Sequence, residues 1–421
     1  MKQLRVIFSL LLISITAPSF GQLGTTPYSI FGLGEVMPQG NIRNMGMGGV
    51  GLSNGSGFYT NILNPALLIH NPYVIFEAGF LAEYKNLEVN GQSQNDAGGN
   101  LLNLHLAFPV VRGKYTMGIG LRPATVVNYE FKTEEKLPQT PTFFETRYQG
   151  EGGVSQVYWA HGYKIKKGIS VGLEAIYNFG SVTNHSETFL LDGTLVPLDA
   201  VDITSRTFFS DFTITPGVVF SAQLDSASFL NFGLTYERQV NLDVDFSREF
   251  QRQTRGETPI SIDTISTSTE RIRLPQSLNV GVSFEKSQKY TVGLDVSLEQ
   301  WAKFTNTIET SNLSNSWKVA LGGEWTPDIS SISSYFKRVT YRLGVRYSQT
   351  PWTVNDVQIP DIGINFGFSL PISRGLSSMN VAFTYGQRGE IQDDIIRERY
   401  FRVALGANIN DPQWFRRRRF N

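Results

Sequence analysis

The chain has 421 residues, with 37 basic and 37 acidic side chains, 12% aromatics, 40 glycines and no cysteine. Balanced charge excludes attachment to nucleic acid through a global basic excess, and the missing cysteine excludes disulfides, thiolate metal sites and a lipid anchor on Cys. Rings for interfacial girdles and small residues for a crowded wall are what an outer-membrane barrel needs.

Lys2 and Arg5 precede an apolar run over residues 6–15, and Ser19-Phe20-Gly21 follows it. That order describes a secretory signal peptide, residues 1–21, whose apolar run is too short to span a bilayer. Cleavage after Gly21 would leave 35 basic and 37 acidic residues. Nothing later approaches the roughly 18 uninterrupted apolar residues of a transmembrane helix. An exported chain of this kind is periplasmic, secreted or a barrel of a Gram-negative outer membrane.

Residues 22–72 show no clean period and are rich in glycine and asparagine. Gly46-x-Gly48-x-x-Gly51 formally matches a dinucleotide fingerprint, but that motif works only between a strand and a helix N-terminus, and neither flank is present. A plug, or hatch, inside a barrel fits better. There Gly46, Gly48, Gly49 and Gly51 allow tight turns and close packing, and Asn64, Pro65 and Ala66 are expected to meet the wall. Tyr28, Phe31, Phe58 and Tyr59 argue against a disordered arm.

From residue 73 to 410 fourteen stretches alternate apolar and polar side chains, predicting a 14-stranded antiparallel transmembrane β-barrel. They centre on residues 73–85, 102–108, 117–121, 157–159, 171–179, 212–220 and 232–236 in the first half. The second half adds 278–284, 290–298, 317–325, 341–347, 362–370, 379–385 and 401–409. Short connections at 112–114, 166–168, 225–227, 287–289 and 373–375 read as periplasmic turns. Long polar stretches at 130–151, 183–205 and 243–271 read as outer loops. The connection at 327–338 is longer than a tight turn and breaks the pattern. Residues 411–421 form a basic periplasmic tail that ends the chain.

Chemistry for catalysis is sparse. His70, His105, His161 and His185 fall in no metal-binding spacing. A barrel-embedded hydrolase would need a serine or aspartate within hydrogen-bond reach of His105 or His161. No metal and no cofactor are expected. Glu77, Glu83, Glu174 and Asp295 are expected to face Arg122, Arg342 and Arg346 across a wet interior.

Three segments together resemble the FadL-type transporters of long-chain fatty acids and other hydrophobic compounds. They are Met45-Gly46-Met47-Gly48-Gly49-Val50-Gly51 followed by Asn64-Pro65-Ala66, then Leu274-Pro275-Gln276-Ser277-Leu278-Asn279-Val280-Gly281 continuing to Asp295 and Trp301-Ala302-Lys303-Phe304. The third is Arg342-Leu343-Gly344-Val345-Arg346-Tyr347 with Pro351 beyond it. The resemblance implies a fourteen-stranded barrel with an N-terminal hatch and a kinked third strand through which ligand leaves sideways into the membrane. In this chain that strand carries Gly118, Gly120 and Pro123, which either mark such a defect or simply ease barrel curvature. Capture would fall to an apolar groove among the outer loops, with Phe143, Phe144, Phe189, Leu190, Leu191, Phe208 and Phe209 as candidates. The partners would be a hydrophobic small molecule and outer-membrane lipid, with no nucleic acid. The opening Tyr28-Ser29-Ile30-Phe31-Gly32-Leu33-Gly34 and the Arg-rich end look more like divergent members from Bacteroidota. Some relatives there serve envelope protein secretion or barrel assembly, which gives the alternative: a non-transporting barrel subunit of such a complex.

Overall fold

The computed structural model describes residues 24–136, 143–191, 197–254, 259–306, 313–372, 376–390 and 395–412. The expected signal peptide and the Arg416, Arg417, Arg418 and Arg419 run lie outside these residues. Fourteen strands form the wall. They are β1 (Val74–Val89), β2 (Gln92–Val111), β3 (Tyr115–Pro123 continuing as Thr125–Lys136), β4 (Phe143–Lys166), β5 (Ile169–Leu191) and β6 (Pro197–Gln223). Then come β7 (Ser228–Glu237 continuing as Val240–Thr254), β8 (Pro259–Leu274 continuing as Ser277–Lys286), β9 (Tyr290–Glu299) and β10 (Ser316–Trp325). Last are β11 (Thr340–Val354), β12 (Val357–Ile372), β13 (Ser377–Arg388) and β14 (Arg397–Asp411). Each pairs antiparallel with its neighbours in sequence, and β14 pairs with β1 from Arg397↔Glu88 to Asp411↔Val74, which closes the cylinder.

The burial pattern is inverted relative to a soluble protein. On β1, Phe76, Phe80 and Tyr84 are exposed while Glu77, Glu83 and Lys85 are buried. The same inversion holds across the barrel, with Leu343 and Val345 outward and Arg342 inward on β11. Only a solvent as apolar as lipid makes that arrangement favourable. The period-two pattern therefore fixes which face of each strand meets the membrane.

The outer connections differ from the sequence expectation. Stretches read as long polar loops are strands that continue outward: β4, β5 and β6 run for 24, 23 and 27 residues. A tilted strand needs only about 9–11 residues to cross the membrane, so these strands project well beyond it. Polar stretches rich in Thr and Ser satisfy their backbone by pairing with each other, as in Val182↔Thr207 and Thr146↔Thr188, and no apolar period is needed to hold them. On the opposite side of the barrel the outer turns are tight. Asn90-Gly91 and Asn355-Asp356 take positive φ at both central positions, the geometry of two-residue hairpins.

Candidate functional site

The lumen is filled by residues 24–72. Within them Asn41 caps the short helix Ile42–Gly46: its side chain accepts from the Asn44 N–H, and the Asn44 side chain accepts from the Asn41 N–H, both at 3.1 Å. Asn64 caps a 3-10 turn, Pro65–His70, by accepting from Ala66 N–H. Gly48 and Gly49 stand at φ +76° and +97°, a left-handed conformation that a side chain would disfavour. The glycine run thus leaves the helix rather than feeding one, as expected for a plug and not for a nucleotide loop.

How the plug meets the wall was not legible in the sequence. Glycines on ten wall strands leave room for it. A methyl group at any of them would fall under 3.0 Å from plug atoms. Gly162, Gly172 and Gly217 on β4, β5 and β6 receive Pro65, Ala66 and Asn64. Gly233 and Gly281 receive Leu52, and Gly293 receives Val50. Gly322 and Gly344 receive Met47, Gly367 receives Gly46, and Gly406 receives Ile42. Many of these stand directly opposite one another across strand pairs: Gly162↔Gly172↔Gly217, Gly233↔Gly281 and Gly293↔Gly322↔Gly344. They form a belt on which the plug rests close to wall backbone, with plug backbone at six of them and plug side chains at Gly217, Gly281, Gly293 and Gly406.

Polar anchors reinforce the belt. Asp295 Oδ2 accepts the N–H groups of Gly51 and Leu52 at 2.7 and 2.9 Å. Arg43 grips Glu324 through two nitrogens at 2.6 and 3.0 Å, and Arg342 donates to the same carboxylate at 3.0 Å. Asn64 donates to the Leu52 and Val218 carbonyls at 2.9 and 3.2 Å. Hydrogen bonds to a charged acceptor contribute about 1.5–3 kcal/mol each. Asp295→Ala, which strips two of them from buried plug backbone, is expected to lower the thermal midpoint of the detergent-solubilised barrel clearly; an unchanged melting curve would remove Asp295 from this role.

The densest polar cluster lies at the closure seam. Glu35 of the plug sits 2.8 Å from Lys85 Nζ, 2.9 Å from Arg388 Nη2 and 2.8 Å from Arg402 Nη2. Around them Glu83 pairs with Lys85 at 3.0 Å and with Arg402, and Glu398 and Asp361 pair with Arg388 at 2.9 and 3.2 Å. Thr26 donates to Glu398, and Tyr400 to Asp361 at 2.5 Å. Burial pushes the Glu35 carboxyl up, but Lys85, Arg388 and Arg402 outweigh it and hold it well below the usual carboxylate range. One plug carboxylate thereby joins β1, β13 and β14.

Above this layer the chain fills its own apolar space. Tyr28 and Leu33 of the plug pack with Phe209, Leu242, Ile272, Trp301, Phe304, Trp352 and their neighbours into one buried cluster. Tyr28 stacks on Trp352 with ring centroids 5.6 Å apart. Among the cavities that remain are two of about 350 and 170 Å³. Arg43, Tyr59, Glu285, Glu324 and Thr326 line the first, and Gln39, Lys318, Arg346, Asp361 and Arg402 the second. Along β9 to β12 the glycine belt runs between them: Thr291 borders one and Ser297 the other, with Gly293 in between.

The remaining expected residues separate. Phe143, Phe144, Phe189, Leu190 and Leu191 lie at the outer end of the β4–β5 pair, far from its turn at residues 167–168. Their register puts Phe143 opposite Leu191, Phe144 opposite Leu190 and Phe189 opposite Glu145, so neighbouring pairs point to opposite faces and line no single groove. Phe208 is exposed, and Phe209 belongs to the buried cluster. Gly118 and Gly120 remain in ladder register with both neighbours and make room for the rings of His105 and Tyr158. The break in β3 falls one residue after Pro123, at Ala124. His105 Nδ1 lies 2.8 Å from Tyr158 OH and His161 Nδ1 2.9 Å from Tyr115 OH, so tyrosine occupies the place a hydrolase would give to serine or aspartate. Of the expected lumen pairs, Arg122 meets Glu174 at 3.2 Å, whereas Asp295 turns to the plug.

A closed fourteen-stranded cylinder with a lipid-facing skin and a filled bore defines a FadL-like outer-membrane channel fold, the fold of non-enzymatic channels. Solved structures share it: the Pseudomonas putida toluene transporter TodX (15% identity, 87% of this chain and 97% of that chain, TM-score 0.58) and the Ralstonia pickettii toluene transporter TbuX (13%, 90% and 99%, 0.56). A Pseudomonas aeruginosa FadL homologue aligns similarly (12%, 89% and 99%, 0.58). The family model described as BamG matches residues 1–421, and the chain belongs to the BamG family. No curated protein matches the sequence.

Proposed function

We propose that this protein is a non-conducting barrel that serves as a subunit of an outer-membrane barrel-assembly complex, the role to which the family name points. The observation that carries this reading is the glycine belt. A plug resting on glycines of ten strands, six of them against its backbone, with a buried ion cluster at the seam, is built to stay seated. Arg43, Glu285 and Glu324 border the space on one side of it, and Lys318, Arg346 and Arg402 the space on the other, charged groups that an apolar cargo would desolvate without pairing. Purification of the tagged chain from native membranes is expected to bring down envelope assembly proteins in fixed ratio. A lone barrel carrying an apolar small molecule would overturn the reading.

A second reading, passive uptake of hydrophobic compounds by loop capture, hatch movement and lateral exit, is favoured by the parting of the wall beside Ala124. The hatch residues Gly46, Gly48, Gly49, Gly51, Asn64, Pro65 and Ala66 would then have to leave their seats in each cycle.

A further inference from the structure

Above Leu104 the wall splits. β2 and β3 pair from Val111↔Tyr115 to Leu104↔Leu121 and no further among the described residues. β3 meanwhile stays with β4 as far as Lys136↔Phe143. The edge that β3 loses is taken up by the plug. Glu35 and Val36 pair with Val126 and Thr125, Met37 N–H donates to Ala124 O at 2.9 Å, and Thr26 N–H to Asn128 O at 2.8 Å. Among the described residues the facing edge of β2, residues 92–103, receives no such ladder, and Gly24 of the plug lies near Asp96 and Ala97. Its described bonds toward the plug run through side chains: Thr25 N–H to Asp96 Oδ2 at 2.5 Å and Asn103 Nδ2 to Gly40 O at 3.3 Å.

Depth makes this edge chemically conspicuous. Ala97 stands opposite Tyr84, and Tyr84 opposite Phe401. These are the outermost exposed aromatics of β1 and β14, so residues 97–103 lie within the apolar band. Sheet edges open to lipid leave backbone N–H and C=O groups without partners, and membrane proteins avoid them. An apolar compound brings no donors or acceptors to such an edge. An extended peptide brings both, in ladder spacing. The split already takes peptide on its other side, where the chain's own segment is seated, and Gly98 and Gly99 keep the approach to β2 open.

We propose that the free edge of β2 is a strand-acceptor site, to which an extended segment of a second outer-membrane barrel polypeptide adds by backbone pairing. The proposal rests on reading the chain as an assembly subunit and names the surface that does the work. The test places a photoreactive benzophenone side chain at Asn95, Ala97 or Gly99, which share the outward face with Tyr84, and at inward-facing Gly98 as a comparison. After irradiation of living cells, cross-linked peptides are sequenced, and the tagged chain is purified from the same culture. The three outward probes are expected to mark one segment of a barrel protein at positions stepping by two residues, and Gly98 to mark residues 24–37 of its own plug. Cross-links to lipid alone, to the plug alone, or scattered without register overturn the acceptor site. If assembly proteins still co-purify in that case, the subunit reading stands without the seam. Register-specific cross-links without a co-purifying complex would keep the seam and sink that reading.

Discussion

Glu35→Ala is expected to unseat the plug and expose Arg43 to trypsin. Lys85, Arg388 and Arg402 converge on this carboxylate at 2.8 to 2.9 Å, and all four side chains are buried. Removing the anion leaves cations that Glu83, Glu398 and Asp361 must neutralise from the wall side alone. Breaking a buried ion pair by deleting one partner typically costs about 3–5 kcal/mol, and here the deleted partner serves three strands. The loss falls on the plug, because every other charged member of the cluster belongs to β1, β12, β13 or β14 and keeps its ladder bonds. Arg43 is 2% exposed in the seated plug and should resist cleavage in the native protein. Glu35→Gln, which keeps the shape and removes the charge, is expected to behave like the alanine variant, whereas Glu35→Asp is expected to retain part of the protection. Equal trypsin resistance in all three variants would show that the cluster is not what holds the plug.

Much of the barrel was readable from periodicity, because the membrane imposes one rule on every wall residue it touches. Phe76-Glu77 and Arg342-Leu343 each show a pair whose two members face opposite solvents, and all fourteen wall strands were found this way. The rule stops at the headgroups. Beyond them β3 to β8 continue as polar hairpins that read as loops, since neither face of a projecting strand must be apolar. The glycines and the place before the barrel suggested a plug, and in the structure Asn64, Pro65 and Ala66 lie against Gly217, Gly162 and Gly172. Its contacts were hidden. Gly162, Gly233 and Gly322 look in sequence like ordinary small residues of crowded strands. Only the register shows that they lie on one belt. Glu35, a lone acid between Gly34 and Val36, carried no local sign that it would meet cations from strands 50 to 367 residues away. Candidate capture residues such as Phe143 and Phe209 were chosen for apolarity, which says nothing about whether lipid, a ligand or Tyr28 covers them.

Adjacent glycines on β10 offer the sharpest trial of the belt. Gly322 points inward, and a methyl there would fall under 3.0 Å from the carbonyl oxygen and carbon of Met47. Gly323 points the other way, and a methyl there would come no closer than 3.1 Å to Thr291 O. Both sit in the middle of the same strand between β9 and β11, Gly322 opposite Gly293 and Gly344, Gly323 opposite Val292 and Leu343. The effect on unfolded-chain entropy is shared by Gly322→Ala and Gly323→Ala, whereas the severe clash with the plug belongs to Gly322 alone. Overpacking a tight interior costs about 1–3 kcal/mol, and the contact on the far side is backbone, which cannot rotate away as a side chain can. At β10 the wall is held by unbroken ladders to β9 and β11 and the plug only by contacts, so the plug is the part that must give. Gly322→Ala is expected to lower the unfolding midpoint and, in planar bilayers, to give conductance steps absent from the native protein; Gly322→Leu is expected to do both more strongly. Gly323→Ala is expected to match the native protein in both measurements. Should the two alanine variants behave alike, the plug is not pressed against the wall at β10, and a subunit whose bore is permanently sealed gives way to one whose plug has room to move.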